Sequence, residues 1–119
     1  MQTFSILVVD DEPNNFDVIE ALLSAQHYQL HYCADGREAI ERLDLIQPDL
    51  ILLDVMMPGM DGIEVCRSIK LMPAWQAVPI TMVTALTGKE DLANCLAAGA
   101  DDFISKPVNR LELTARVRS

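Results

Sequence analysis

The sequence predicts an α/β fold in which a mainly parallel sheet lies between helices, and three observations predict it. Short, near-continuous apolar runs recur along the chain, each ending on polar or acidic residues, as strands buried on both faces do. Helical periodicities with recognisable starts and stops fill the intervals. One further strand candidate alternates polar with apolar residues and so belongs at a sheet edge.

In chain order, the first run is Ile6–Val9, closed by Asp10. The first helix is expected to start near Pro13, whose fixed φ suits a first turn, and it spaces Phe16, Ile19 and Leu23 along one face. The alternating segment Gln29–Cys33 is the edge strand. A second helix carries Ala39, Ile40, Leu43 and Ile46, and the strand Leu50–Leu53 follows and ends at Asp54. A third helix places Val65, Cys66 and Ile69 together and stops before Pro73; the run Pro79–Val83 then ends at Thr84. The fourth helix carries Leu92, Cys95 and Leu96 and stops at Gly99, suited to a left-handed cap. The short run Phe103–Ile104 precedes Ser105 and Lys106, and a last helix from Asn109 turns Leu113 and Val117 inward. Four helix starts pair a side-chain oxygen with a Glu three residues on: Asp35 with Glu38, Asp61 with Glu64, Thr87 with Glu90, and Asn109 with Glu112. Strand then helix, five times over, is the alternation of an α/β fold with right-handed crossovers.

The chain has 119 residues, half of them hydrophobic, enough for one domain with a core that needs no staples. No repeat or low-complexity tract interrupts it. Nine basic residues against eighteen acidic ones leave a net charge of −9, which repels a phosphate backbone, so this segment is not expected to bind nucleic acid. Cys33, Cys66 and Cys95 are odd in number, far apart and set in apolar-periodic segments, and read as reduced core thiols of a cytoplasmic protein. No targeting segment is visible, and no apolar run approaches the roughly 18 residues of a membrane span. The last helical pattern reaches Ser119 without a terminator, and the expectation is a single domain, residues 1–119, excised from a longer multidomain protein.

Open α/β sheets bind ligands beyond the carboxyl ends of their strands. The residues there are Asp10, Asp11, Asp54, Thr84 and Lys106. Three carboxylates gathered together raise one another's pKa unless a cation joins them, and a hard divalent ion with oxygen ligands, Mg²⁺, is the natural choice. Thr84 offers a small hydroxyl and Lys106 a mobile point charge suited to a phosphoryl group. With no Ser, Cys or His nucleophile in the set, a carboxylate oxygen is the reacting atom, and Asp54, at the end of the most apolar strand, is the best candidate. Asp10 and Asp11 are better suited to hold the metal.

Five segments carry a family resemblance: Val9-Asp-Asp-Glu-Pro13, Leu53-Asp-Val-Met-Met-Pro-Gly-Met-Asp-Gly62, Val83-Thr-Ala85, Ala97-Ala-Gly-Ala-Asp-Asp102 and Ser105-Lys-Pro107. In order and spacing they resemble the receiver domain of bacterial two-component response regulators, along the whole chain. The resemblance implies the flavodoxin-like receiver fold, a five-stranded sheet in the order 2-1-3-4-5. It implies a phosphoacceptor, Asp54, served by a histidine kinase or phosphotransfer protein, with Mg²⁺ held by Asp11, Asp54 and the backbone carbonyl of Met56, and Asp10 acting largely through a bound water. It also implies that Thr84 and the Ala85 N–H contact the phosphoryl oxygens, that Lys106 pairs with the phosphoryl group, and that the Lys106–Pro107 bond is cis. Thr84 and Phe103 would form the switch, altering the surface of the fourth helix, fifth strand and fifth helix. Phe103 lacks the hydroxyl of the commoner Tyr, which leaves a packing switch. The flanking apolar Met56 and Leu86 favour slow self-hydrolysis.

Such a domain assists its own phosphorylation and dephosphorylation without being a turnover enzyme. Its output domain would be covalently linked or separate, and the wording Gly62-Ile-Glu-Val-Cys-Arg67, Lys106-Pro-Val-Asn-Arg110 and Ala115-Arg-Val-Arg118 is similar to receivers of hybrid histidine kinases or cyclase-linked regulators. A phosphorylation-dependent homodimer is compatible with the sequence. A metal-dependent phosphohydrolase would place its acids on alternate residues after the first strand and needs a substrate pocket; here the acids are adjacent. A flavin or nucleotide carrier would need a glycine-rich phosphate loop where Asp-Asp-Glu-Pro-Asn stands. A degenerate receiver acting as a phosphorylation-independent interaction domain is disfavoured by the complete strand-end set. Outside that set, Met56, Met57 and Met60 are expected to pack under their loop, Trp75 across the end of the sheet, and His27 and His31 to lie on the surface. Arg110, Arg116 and Arg118 are expected to complement the negative end of their helix.

Overall fold

The computed structural model describes residues 3–85 and 88–118. The four apolar runs and the alternating segment form strands β1 Ser5–Val9, β2 Gln29–Cys33, β3 Leu50–Asp54, β4 Ile80–Thr84 and β5 Asp102–Ser105. All neighbours are parallel, in the order β2-β1-β3-β4-β5. β2 is an edge, as its alternation predicts.

Because successive side chains of a strand point to opposite faces, each central strand feeds two cores. Leu7, Val9, Ile51, Leu53 and Met82 pack on one face with Ala39, Leu43, Val65, Cys66, Ile69 and Cys95. On the other face, Ile6, Val8, Leu50, Leu52, Val83 and Ile104 meet Ile19, Leu23, Leu113 and Val117. The helices therefore divide: α1 Pro13–Leu23 and α6 Arg110–Arg118 cover one side, and α2 Gly36–Glu41, α3 Leu43–Ile46, α4 Gly62–Lys70 and α5 Lys89–Ala97 the other. Near-continuous apolar strands are the consequence of this double cover.

Helix α1 begins at Pro13, as expected, with Glu12 as an N-cap that makes no side-chain cap bond. Asp35, Asp61 and Asn109 accept from the N–H of Glu38, Glu64 and Glu112 at 2.8, 2.9 and 2.8 Å, satisfying donors left over at helix starts. Thr87 and Leu86 lie outside the described residues; α5 has Gly88 as its N-cap, without a side-chain bond. Gly99 closes it with φ +104°.

The structure departs from the expected second helix, which is two short pieces. Arg42 takes φ −100°, ψ 3°, and its N–H is shared between the carbonyls of Glu38 (3.1 Å) and Ala39 (3.3 Å). This local tightening breaks the helix yet leaves Ala39, Leu43 and Ile46 on the buried face. Leu96, expected inside, is 51% exposed, while Cys95 and Ala98 face the core. Trp75 packs at the amino end of the sheet and donates from Nε1 to Asp44 at 2.9 Å. His27 is exposed, whereas His31 on β2 is half-buried. Arg116 pairs with Asp102 at 3.3 Å as well as standing in the last turn of α6. The three cysteines are unpaired and buried. Among the described residues, no helix is long and apolar enough to cross a membrane.

Candidate functional site

At the carboxyl end of the sheet β1, β3, β4 and β5 finish side by side: Val9 pairs with Leu53, Asp54 with Val83, and Thr84 with Ser105. The chain leaves β1 through Asp10, whose N–H donates to the Cys33 carbonyl at 3.2 Å. This extends the β1–β2 ladder by one rung and turns the Asp10 side chain inward, where the residue is 3% exposed. Asp11 is left facing solvent.

Asp10 is held from several sides. Its Oδ1 accepts the Glu12 N–H at 2.9 Å, and the Asn15 amide donates to Oδ1 at 3.2 Å and to Oδ2 at 3.1 Å. The Tyr32 hydroxyl donates to the Asp10 carbonyl at 2.7 Å, with its ring against Phe16 at a centroid distance of 5.0 Å.

Asp54 ends β3, is 4% exposed and accepts the Met56 N–H on Oδ1 at 3.4 Å. Lys106 reaches in from the loop after β5. Its backbone N–H donates to the Thr84 carbonyl at 2.8 Å, and the Lys106–Pro107 bond is cis. The ammonium lies 3.3 Å from Asp54 Oδ1 and 3.4 Å from Asp10 Oδ2. Asp10, Asp11 and Asp54 each present a carboxylate oxygen within 4.8 Å of the others.

Burial raises the Asp54 carboxyl above the ordinary aspartate value, and the neighbouring Asp10 adds to this; the Lys106 ammonium and the Met56 N–H act against it. For Lys106, burial works to lower the value, but the Asp54 and Asp10 carboxylates outweigh it and hold the ammonium above an ordinary lysine. Among the described groups of this cluster, three carboxylates face one ammonium. That imbalance suits a divalent cation bound by oxygen ligands, so the residues present fit Mg²⁺.

The structure thus brings Asp10, Asp11, Asp54 and Lys106 together. Thr84 is buried at the end of β4 and joined to Lys106 through the backbone, and the small, exposed Ala85 lines a cavity of about 460 Å³ with Asp10, Asn15 and Lys106. Met57 is buried and Met60 partly so, but Met56 projects outward, 65% exposed, which corrects its expected packing beneath the loop. Phe103 is half-buried on β5 and packed against the core layer of α2 to α5.

Three contributors were missed from the sequence. Asn15 and Tyr32 bond Asp10 directly, and Gly62 lets α4 start against the backbone of Asp54, its N–H donating to the Val55 carbonyl at 2.9 Å. The Asp61-Gly62 pair at a helix start is the sequence signal for the last. Asn15, in the first turn of α1, carries a fainter one.

Comparison with known proteins agrees with this architecture. The family model for the response regulator receiver domain matches residues 6–118. Response regulator PleD of Caulobacter vibrioides is 46% identical over 114 residues, 96% of this chain but 25% of PleD. DNA-binding response regulator MtrA of Mycobacterium tuberculosis is 42% identical over 114 residues, 96% of this chain and 49% of MtrA. The chain thus spans a quarter to a half of the length of these relatives. The receiver domain of a sensor histidine kinase from Pseudomonas aeruginosa, solved with a magnesium ion coordinated in its active site cleft, superposes with a TM-score of 0.88 at 36% identity, covering 98% of this chain and 96% of the other. From its sequence motifs, its strand order and these matches together, the chain belongs to the receiver domain family of two-component response regulators.

Proposed function

We propose that this receiver is a phosphorylation-operated switch in which Asp54 accepts a phosphoryl group from the phosphohistidine of a histidine kinase or phosphotransfer protein. The observation that carries the reading is the Lys106 ammonium, 3.3 Å from Asp54 and 3.4 Å from Asp10, inside a cluster of three carboxylates. An Asp54 oxygen attacks phosphorus in line, a P–O bond forms, the P–N bond breaks, and its electron pair returns to the imidazole. Asp54 must be ionised to attack, and Lys106 opposes the effect of burial in keeping it so. Lys106 then pairs with the transferred group, whose oxygens take the Thr84 hydroxyl and the Ala85 N–H.

Mg²⁺ would be held by Asp11, Asp54 and the Met56 carbonyl, with Asp10 acting through water, and when bound it neutralises charge on the phosphoryl oxygens. Thr84 turns toward the phosphoryl group, Phe103 repacks with it, and the change is read on the face formed by α5, β5 and α6. This face follows the expectation of a fourth-helix surface, renumbered because the second helix is divided. The domain is a cytoplasmic module that does not turn over a substrate, and its output is carried by a linked or separate domain. The wording of its last helices favours a hybrid histidine kinase or a cyclase-linked regulator as the protein that carries it, and receiver domains of histidine kinases are among its structural neighbours.

The test is incubation with acetyl phosphate, with and without Mg²⁺, followed by intact mass for the wild type and Asp54→Asn. One added phosphoryl group that needs both Mg²⁺ and Asp54 is expected. No labelling in any condition would favour a phosphorylation-independent interaction domain, and labelling of Asp54→Asn would move the acceptor elsewhere.

A further inference from the structure

Among the contacts to the carboxylate cluster, the Asn15 amide has no part in the proposed chemistry and yet makes two bonds to a single carboxylate. Its Nδ2 lies 3.2 Å from Oδ1 and 3.1 Å from Oδ2 of Asp10, straddling the two oxygens almost evenly. The residue is half-buried, and its own N–H donates to the Glu12 carbonyl at 3.0 Å, which seats it in the first turn of α1. The next residue, Phe16, stacks on Tyr32, whose hydroxyl holds the Asp10 carbonyl. The Asp10 carboxylate is thus bonded to the first turn of α1, and its carbonyl to a β2 tyrosine whose ring packs on that same turn.

We infer that Asn15 is a positioning residue, whose amide fixes the Asp10 carboxylate and so keeps the Lys106 ammonium shared between Asp10 and Asp54. This rests on the phosphoacceptor reading above. Without the amide, Oδ1 would keep the Glu12 N–H, but Oδ2 would retain Lys106 as its one bonded partner among the described residues. A buried carboxylate short of donors draws the nearest cation. Lys106 would then lean toward Asp10 and away from Asp54, and the carboxylates would offer a divalent ion a less ordered set of oxygens. Partners that orient metal-binding groups act in this way.

Three forms of the 119-residue chain, wild type, Asn15→Leu and Asn15→Gln, are titrated with Mg²⁺ alone by calorimetry and then labelled with acetyl phosphate at saturating Mg²⁺. Leu keeps the branched shape and removes the donor; Gln keeps the amide. The expected result is an Mg²⁺ dissociation constant raised about ten-fold in Asn15→Leu, slower labelling, a lowered melting temperature in a chain that still folds, because a buried carboxylate loses its donor, and recovery of most of the loss in Asn15→Gln. Wild-type Mg²⁺ affinity in Asn15→Leu, or Asn15→Gln as weak as Asn15→Leu, overturns the inference and leaves the phosphoacceptor reading intact. A wild-type chain that binds no Mg²⁺ and takes no phosphoryl group overturns both.

Discussion

A Cβ added at Gly62 would overlap the carbonyl oxygen of Asp54 and lie 2.8 Å from the Cα of Val55. These neighbours are backbone at the end of β3 and cannot give way as a flexible side chain could. Gly62→Ala is therefore expected to lower stability by about 2 kcal/mol through overpacking and to shift Asp54, read as a lower urea midpoint together with slower labelling by acetyl phosphate. An unchanged midpoint would mean that α4 can slide without cost. The strand-end residues Asp10, Asp54, Thr84 and Lys106 were legible in the sequence because each interrupts or follows an apolar run. Asn15 and Tyr32 were not, since their bonds to Asp10 depend on where α1 and β2 meet β1. Met56, Met57 and Met60 share a loop without a period, and nothing in their order says that Met56 turns outward while Met57 turns in.

At the scale of elements, the caps were readable because a side chain and an N–H three residues apart are fixed by local geometry. Asp61 is the most consequential of them, since α4 begins directly after the loop that follows Asp54 and carries Met56. Asp61→Ala removes the acceptor of the Glu64 N–H at 2.9 Å and is expected to cost about 1 kcal/mol; Asp35→Ala, which uncaps α2, should cost a similar amount. Only the first should also alter Asp54 labelling, and equal effects of the two on labelling would show that the cap of α4 has no influence on the site. The break at Arg42 and the exposure of Leu96 escaped the sequence for one reason. Periodicity marks an apolar stripe, but the bend of a helix and the edge of the stripe that meets the core are set by what lies opposite.

Across the whole molecule the buried thiols are confined to one of the two cores: Cys33, Cys66 and Cys95 all lie in the layer between the sheet and helices α2 to α5. Burial pushes the Cys33 and Cys66 thiols up to about 11, with Glu38 adding to the effect at Cys33, and burial raises Cys95 as well. In the unfolded chain a thiol ionises near its ordinary value of about 8.5. The folded form thus keeps protons that the unfolded form gives up, so the stability they contribute is complete below that value. It is lost as pH rises toward 11, at about 1.4 kcal/mol per pH unit for each thiol. Urea midpoints measured in steps from about pH 7.5 to 10.5 should fall in the wild type and fall less steeply in the Cys33→Ala, Cys66→Ala double variant. The variant starts lower, because it leaves space in the core, so the slope rather than the starting midpoint is the readout. Parallel slopes would place the alkaline loss on tyrosines and lysines, and would mean that this layer does not hold its thiols as firmly protonated as its packing requires.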